Sequence, residues 1–215
     1  MSHHHECDHD CCSQIVLFQG DSITDAGRLY EDPLSMGSGY AMMVAAWYQA
    51  LYPENHVQFL NRGISGNRVR DLQGRWTPDC LDIEPSLVSI MIGINDTWRR
   101  YDSGDPTSVE AFEVGYRDIL TRTRETLDAG IILIEPFVLP VPEDREQWRE
   151  DLDPKIHVVR ALAREFKAVL VPLDGIFAQA AAKREPEYWA SDGVHPTLAG
   201  HALIAQTWLE TVGSL

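Results

Sequence analysis

Four short segments of this chain carry side chains that hydrolytic chemistry requires: GDSIT, NRGISGN, GINDTW and DGVHP. Ser22, in the first segment, is a poor nucleophile unless a base lies beside it, and His195 in the last segment is the candidate base. Asp192 lies three residues before His195, within the reach of a turn, and can orient the imidazole by accepting a hydrogen bond from its Nδ1. These residue types predict a Ser-His-Asp triad for acyl transfer.

Acyl transfer also needs hydrogen-bond donors where negative charge develops on the substrate. The candidate donors are the amide of Ser22, the amide of Gly63 and the side-chain amide of Asn95. Gly63 has no Cβ to block the approach of a substrate to its N–H. Each residue also has an ordinary structural alternative, since a serine can cap a helix and an asparagine can occupy a turn. The complete set, in this order along the chain, indicates a serine hydrolase.

Aromatic and hydrogen-bonding side chains flank the candidate catalytic residues. Trp98 follows Asn95 by three positions, and Trp189 precedes Asp192 by three. Aromatic faces with neighbouring donors suit a sugar ring, whereas the alternative is that both tryptophans only pack the loops at the rim. The predicted substrate-binding residues are Asp21, Trp98, Arg99, Tyr101 and Trp189.

The elements that position these segments follow from an alternation of apolar runs and longer amphipathic stretches. Apolar runs predict strands at Ile15–Phe18, Val57–Leu60, Leu87–Ile92, Ile131–Ile134 and Ala168–Val171. Helical spacing predicts helices at Tyr40–Leu51, within Asn67–Leu81, and at Val109–Leu127, Lys155–Phe166, Ile176–Lys183 and Pro196–Leu209. This alternation is typical of an α/β fold whose parallel sheet is covered on both faces. The carboxyl ends of parallel strands share one edge, so we expect the four segments to meet there.

Composition limits the partners of the chain. A net charge of −15 argues against nucleic acid or an anionic membrane as a partner and suits a small-molecule or neutral oligosaccharide ester. The apolar stretches are too short to span a membrane or to form the core of a secretory signal, so we expect a cytoplasmic location. We expect no cofactor and no catalytic metal. The sequence leaves the oligomeric state open, a homo-oligomer included.

The chain divides into a short leader and one domain. Residues 14–215 are predicted to form a single hydrolase domain. Residues 1–13 are rich in His and Cys, and we expect them to be a disordered leader. Imidazole and thiolate can bind zinc or nickel, but their spacing here matches no closed structural zinc site. Adventitious metal binding by this leader stays open.

The four segments resemble the sequence blocks of the GDSL, or SGNH, hydrolase superfamily, and the resemblance extends from about Ile15 to the C-terminus. The residues that match its catalytic Ser, Gly, Asn and His and its triad acid are Ser22, Gly63, Asn95, His195 and Asp192. The resemblance implies a three-layer α/β/α sandwich with a flavodoxin-like five-stranded parallel sheet in the order 2-1-3-4-5. In that order Ser22 and Asn95 lie on opposite sides of one crevice, at the topological switch point.

Within the superfamily the chain is most similar to intracellular bacterial acetylxylan esterases. The similar stretches are GDSITDAGR, GISGNRVRDLQGRW, SIMIGINDTWRRYD and DGVHPTLAGH. The resemblance implies a serine esterase that removes acetyl groups from acetylated sugars, xylo-oligosaccharides in particular, through an acyl-enzyme and without a metal. A lysophospholipase, an arylesterase or a thioesterase with the same triad is the first alternative. A non-catalytic carbohydrate- or metal-binding protein is the second.

Overall fold

Five parallel strands form one sheet, in the order 2-1-3-4-5, in the computed structural model, which describes residues 14–213. The strands are β1 (Gln14–Gly20), β2 (Val57–Asn61), β3 (Leu87–Met91), β4 (Gly130–Ile134) and β5 (Val169–Val171). The predicted α/β class and flavodoxin-like strand order are confirmed. The predicted leader, residues 1–13, lies outside the described residues.

Helices cover both faces of this sheet and complete the three-layer sandwich. They are α1 (Ser22–Asp25), α2 (Tyr40–Leu51), α3 (Val69–Asp79), α4 (Ile94–Asp102), α5 (Val109–Thr126), α6 (Arg149–Glu165), α7 (Leu173–Ala181), α8 (Pro186–Trp189) and α9 (Leu198–Val212). The apolar sides of α2, α7 and α9 pack on one face, and those of α3, α5 and α6 pack mainly on the other. No helix between residues 14 and 213 combines the length and the apolar character needed to cross a bilayer.

Successive side chains of β1 point to opposite faces of the sheet, so this strand packs against both helical layers. Phe18 is fully buried, and its ring centroid lies 5.7 Å from those of Tyr40 on α2 and Trp208 on α9. Leu17, the preceding residue, is buried in the opposite cluster with Leu72 of α3. Because both faces of the strand exclude water, polar chemistry is confined to its carboxyl end.

The register between β1 and β3 sets the position of the candidate site. Gly20 pairs with Met91, so the turns that follow these two strands leave the same edge of the sheet side by side. The first turn leads to Ser22 at the start of α1, and the second leads to Asn95 in the first turn of α4. Adjacent strands therefore present the two residues to one crevice.

The helices differ from the prediction in several places, and the short helices α1 and α8 were not predicted. The sequence does not predict α4, because its segment INDTWRRYD is short and mostly polar. α6 begins at Arg149 rather than at Lys155, even though Pro154 lies inside it. A 3₁₀ helix at Glu143–Trp148 leads directly into α6 and extends the helical backbone on the N-terminal side of that proline. The starts of α7 and α9 also differ from those predicted by two or three residues.

Candidate active site

The turn after β1 presents Ser22 at the edge of the sheet. The Oδ1 of Asp21 accepts a hydrogen bond from the N–H of Ile23 at 3.0 Å, so Asp21, and not Ser22, caps α1. A Cβ at Gly20 would lie 2.3 Å from the Oγ1 of Thr24, so only glycine fits where the strand turns into the helix. The capping alternative for Ser22 is therefore wrong, and its hydroxyl is left to face the crevice.

Asp21 does not occupy the position that its predicted substrate-binding role requires. Only 1% of the residue is exposed, because its carboxylate is folded under the turn that it caps. Burial raises the pKa of Asp21 to about 7, against the opposing effects of the Ile23 hydrogen bond and the nearby charge of His195. Asp21 thus acts on the site through its charge and its cap.

Ser22, His195 and Asp192 form a continuous hydrogen-bonded chain. The Oγ of Ser22 lies 2.9 Å from the Nε2 of His195, and the Nδ1 of His195 lies 2.7 Å from the Oδ2 of Asp192. The other carboxylate oxygen, Oδ1, accepts from the backbone N–H groups of Val194 at 3.0 Å and His195 at 2.7 Å. This geometry holds the imidazole with Nε2 toward the serine hydroxyl, as base-assisted attack requires.

The electrostatics of this pair follow from its contacts. Burial opposes ionisation of Asp192, but hydrogen bonds from the His195 side chain and from two backbone N–H groups outweigh it and hold its pKa well below the usual range. The hydrogen bond to Asp192 raises the pKa of His195 above its ordinary value, against a smaller opposing effect of burial. Asp192 therefore stabilises the imidazolium that forms when His195 takes a proton.

The segment that follows β4 holds the loop that carries His195. The N–H of Leu139 donates to the carbonyl of Gly193 at 2.8 Å. Gly193 has φ +80°, and a Cβ there would lie 2.3 Å from the carbonyl oxygen of Val141. Because no other residue fits this backbone and this close approach, Gly193 fixes the turn between Asp192 and His195.

Asn95 lies in the first turn of α4, directly after β3, the strand that neighbours β1. The left-handed backbone of Gly93, with φ +134°, starts α4 directly after β3. Asn95 is only 4% exposed, and its side-chain amide donates to the carbonyl of Asn67 at 3.1 Å. The amide retains a second N–H, which leaves it able to donate to an oxyanion.

The predicted donor role of Gly63 is wrong in this structure. Its N–H already donates to the Oδ1 of Asn61 at 2.8 Å, and its Cα lies against α1, where a Cβ would approach the N of Asp25 to 2.3 Å. Gly66, three residues later, has φ +83° and open space at its Cβ position. Within residues 14–213, the Gly66 N–H donates to no acceptor.

Sequence reasoning therefore missed Gly66, although a signal for it was present. NRGISGN contains two glycines, and spacing alone does not tell which one faces the crevice. The segment also bends toward α4, since Asn67 accepts from Asn95 and the N–H of Val69 donates to the Oδ2 of Asp96 at 3.1 Å. Gly66 therefore lies between Ser65, which bonds to Asp25 of α1, and Asn67, which bonds to Asn95 of α4, whereas Gly63 packs against α1.

Of the predicted substrate-binding residues, Trp98 lies beside the candidate base. Its ring centroid is 5.7 Å from that of His195 and 5.2 Å from that of Trp148. The guanidinium of Arg145 lies 5.1 Å from the Trp98 ring and 4.0 Å from the Trp148 ring. Trp98 thus forms a wall next to His195 that a leaving group can contact.

Tyr101, Arg99 and Trp189 are engaged by neighbouring protein groups. Tyr101 stacks on Trp148 at 5.3 Å, and its hydroxyl donates to the carbonyl of Gln147 at 2.9 Å. Arg99 pairs with the carboxylate of Asp102, one turn along α4. The indole N–H of Trp189 donates to the carbonyl of Ala180 at 3.1 Å. These contacts are those of rim packing, so Trp98 is the one of the four that adjoins the candidate triad.

Within the described residues, no group of three or more His, Cys, Asp and Glu side chains is arranged to hold a metal ion. The remaining histidine near the site, His201, accepts a hydrogen bond at Nδ1 from the N–H of Tyr40 at 3.1 Å. Burial, together with the charge of His195, lowers the pKa of His201 to about 4. His201 is therefore neutral at physiological pH and links α9 to the start of α2.

The chain is similar to proteins with known folds and activities. Residues 18–203 match the model of the GDSL-like lipase/acylhydrolase family. An acetylxylan esterase from Geobacillus stearothermophilus is 37% identical over 206 residues, which cover 92% of this chain and 93% of that protein.

Solved structures agree with this match. A candidate GDSL-like lipase from Parabacteroides merdae superposes with a TM-score of 0.90 at 36% identity, covering 94% of this chain and 97% of that one. Axe2, the acetylxylan esterase from G. stearothermophilus, gives a TM-score of 0.84 at 36% identity, covering 93% and 94%. Catalytic mutants of Axe2 replace a serine, an aspartate or a histidine with alanine, the last two being three residues apart.

Proposed function

This chain belongs to the GDSL-like lipase/acylhydrolase family and is a carboxylic-ester hydrolase, and we propose that it releases acetate from acetylated xylo-oligosaccharides by a serine mechanism. The observation that carries the proposal is the hydrogen-bonded chain from the Oγ of Ser22 through His195 to Asp192. A serine hydroxyl aligned with an imidazole and a carboxylate is the arrangement that activates oxygen for attack on an acyl carbon.

In the first step the Oγ of Ser22 attacks the acetyl carbonyl carbon while the Nε2 of His195 takes the hydroxyl proton. Asp192 keeps the Nδ1–H of the imidazole in place and stabilises the imidazolium. The negative charge that develops on the carbonyl oxygen is bound by N–H donors of Ser22, Gly66 and Asn95. Gly66 takes this role in place of Gly63, whose N–H is already bonded to Asn61.

The imidazolium of His195 then gives its proton to the departing sugar oxygen, which completes acylation and leaves the acetyl group on Ser22. A water molecule, activated by the neutral imidazole, then attacks the acyl-enzyme and releases acetate. The leaving group must come within reach of the Nε2 of His195, and Trp98 lies beside that ring at 5.7 Å. A sugar stacked on Trp98 would therefore present its oxygen to the proton donor.

Two further features support a neutral sugar ester as substrate. The similarity to an acetylxylan esterase covers almost the whole of both chains, and Axe2 is described as an acetyl-xylooligosaccharide esterase. The net charge of −15 favours a neutral substrate over an anionic lipid or nucleotide ester.

The test is acetate release from acetylated xylo-oligosaccharides by wild-type protein, Ser22→Ala and Ser86→Ala. Ser86 is the matched control, because its hydroxyl bonds to the backbone of Ile15 at the opposite, amino-terminal edge of the sheet. We expect Ser22→Ala to lower kcat by about four orders of magnitude or more and Ser86→Ala to leave it unchanged.

4-Nitrophenyl acetate and butyrate, assayed alongside, separate the mechanism from the substrate. Hydrolysis of these esters that depends on Ser22, without release of acetate from the oligosaccharides, would keep the triad and contradict the sugar substrate. A lysophospholipase, arylesterase or thioesterase would then be favoured. Hydrolysis that is unaffected in Ser22→Ala would contradict the serine mechanism itself.

A further inference from the structure

We propose that Asp25 is a positioning residue for ester hydrolysis: it holds Ser65 and thereby directs the N–H of Gly66 toward the oxyanion. The inference rests on the proposed function, in which Gly66 is an oxyanion donor. Asp25 belongs to α1, three residues after Ser22, and does not itself touch the substrate. It links the helix that carries the nucleophile to the segment that carries the donor.

The Asp25 carboxylate accepts four hydrogen bonds. Its Oδ2 accepts from the Ser65 N–H at 3.0 Å, the Ser65 hydroxyl at 2.7 Å and the Tyr30 hydroxyl at 2.5 Å. Its Oδ1 accepts from the N–H of Arg28 at 3.1 Å. The residue is only 3% exposed, so these donors, and not water, satisfy the carboxylate.

Two of the three donors to Oδ2 belong to the residue directly before Gly66. A bond to the Ser65 N–H fixes the peptide plane on one side of Ser65, and the bond to its hydroxyl fixes the side chain. The direction of the next N–H, that of Gly66, then depends only on the backbone conformation of Ser65. Because glycine at φ +83° has wide conformational freedom, an anchor on its preceding neighbour matters more here than beside another residue.

Other bonds hold the ends of the same segment. The Nε of Arg28 donates to the carbonyl of Gly63 at 2.7 Å, and Asn95 donates to the carbonyl of Asn67 at 3.1 Å. Gly66 lies between these anchors, with Asp25 bonded to the residue before it. The segment is therefore fixed at three points, while the N–H of Gly66 has no acceptor among the described residues and stays available to a substrate.

The charge state of Asp25 suits this role. Burial opposes its ionisation, but hydrogen bonds from Tyr30, Ser65 and Arg28 outweigh burial and lower its pKa below the ordinary value. An ionised carboxylate only accepts hydrogen bonds, so all four contacts match its chemistry.

Asp25→Asn breaks this arrangement at one defined point. If the amide nitrogen takes the place of Oδ2, the hydroxyls of Ser65 and Tyr30 can rotate to accept from it. The backbone N–H of Ser65 cannot, because it is a donor only. If the amide oxygen takes that place instead, the nitrogen faces the N–H of Arg28, which keeps a second acceptor, the carbonyl of Asp25 at 3.0 Å. In that orientation Ser65 keeps its acceptor but loses the negative charge that strengthens both of its bonds, so either orientation weakens the hold on the residue before Gly66.

The experiment compares Asp25→Asn with wild-type protein and with Asp174→Asn. Asp174 is the matched control, because its side chain is also mostly buried, with 14% exposed, and its carboxylate pairs with Arg149. Within the described residues it makes no hydrogen bond to residues 61–69. We expect kcat on 4-nitrophenyl acetate to fall about ten- to hundred-fold in Asp25→Asn, with KM changed by less than about twofold. The affinity for phenylboronic acid, which forms a tetrahedral adduct with serine, should fall in parallel with kcat.

A kcat for Asp25→Asn within about threefold of wild type, or an equal loss in Asp174→Asn, would overturn the assignment. If Asp25→Asn does not fold, Ser65→Ala and Tyr30→Phe decide, since each removes one hydroxyl donor to the same oxygen. A lower kcat in Ser65→Ala alone supports the role of Asp25, and equal values contradict it. Wild type and Ser22→Ala, assayed in parallel, show separately whether the serine mechanism itself holds.

Discussion

The two sides of the crevice are built in different ways. On the base side, Asp192 and His195 are three residues apart, their hydrogen bonds lie within one turn, and their side chains are 37% and 46% exposed. On the oxyanion side, Asn95 is 4% exposed and Asp25 is 3% exposed. The bond from Asn95 to Asn67 and the bond from Ser65 to Asp25 join residues 28 and 40 positions apart along the chain.

This difference shows which functional groups a short stretch of sequence can position without help from distant residues. A base and its orienting carboxylate can be held by a short turn, and Gly193 supplies the backbone conformation that the turn needs. An oxyanion donor must be aimed at a point in space that belongs to another strand. Aiming it takes bonds from several elements, and the sequence does not reveal these bonds by spacing.

The largest expected effect tests the base side. Asp192→Asn should lower kcat by about 10⁴-fold, because the amide no longer selects the imidazole tautomer that leaves Nε2 free to accept a proton. Steady-state kinetics on 4-nitrophenyl acetate measure the loss, with circular dichroism to check the fold. Asp102→Asn, which alters the partner of Arg99 one turn away on α4, is the matched control. A loss of less than about tenfold in Asp192→Asn would remove the carboxylate from the mechanism.

The next effect tests the oxyanion side. Asn95→Ala should lower kcat by about 10²- to 10³-fold, or about 3–4 kcal/mol of transition-state stabilisation, because one donor to the oxyanion is lost. KM should change little, since the donor bonds more strongly to the transition state than to the ground state. Asn55→Ala is the control, because its amide donates to the Tyr48 hydroxyl outside the crevice. Wild-type turnover in folded Asn95→Ala would show that the buried amide serves only to hold Asn67.

The smallest effect uses pH to separate the two sides. Neutral His195 is the form that accepts the serine proton, so kcat/KM should rise tenfold per pH unit as His195 loses its proton and then reach a plateau. The hydrogen bond to Asp192 raises the pKa of His195, and the charge of Asp21 raises it further. Asp21→Asn removes that charge, so the rise should move to lower pH, while the amide oxygen can still cap α1.

The same profile measured for Asn95→Ala supplies the contrast. Its midpoint should match that of wild type, because an amide that only donates to the oxyanion carries no charge to His195. A profile for Asp21→Asn that stays unchanged or moves to higher pH would contradict the effect assigned to Asp21. A shifted midpoint in Asn95→Ala would show that the two sides are coupled.

The sequence patterns predicted positions that depend on local bonds better than positions that depend on bonds between distant residues. The alternation of strands and helices was predictable from apolar runs, and the pairing of Asp192 with His195 was predictable from their spacing. The strand order was implied by the resemblance to the GDSL superfamily, and the contact of Ser22 with His195, 173 positions apart, depends on that order. α4 was not predictable, since its polar segment begins a helix only after Gly93 turns the chain at the end of β3. Asp21, which was predicted to bind substrate, directly precedes Ser22, but the turn that exposes the serine buries the aspartate.

The sequence by itself determined the alternation of strands and helices and the turn that pairs Asp192 with His195. Periodicity and turn geometry act over a few residues, so they can be read directly from the chain. The tertiary structure alone decided which glycine of NRGISGN keeps a free N–H, and which side chains hold it. The bond between Ser65 and Asp25, 40 positions apart, exists only once β1 and β2 lie side by side.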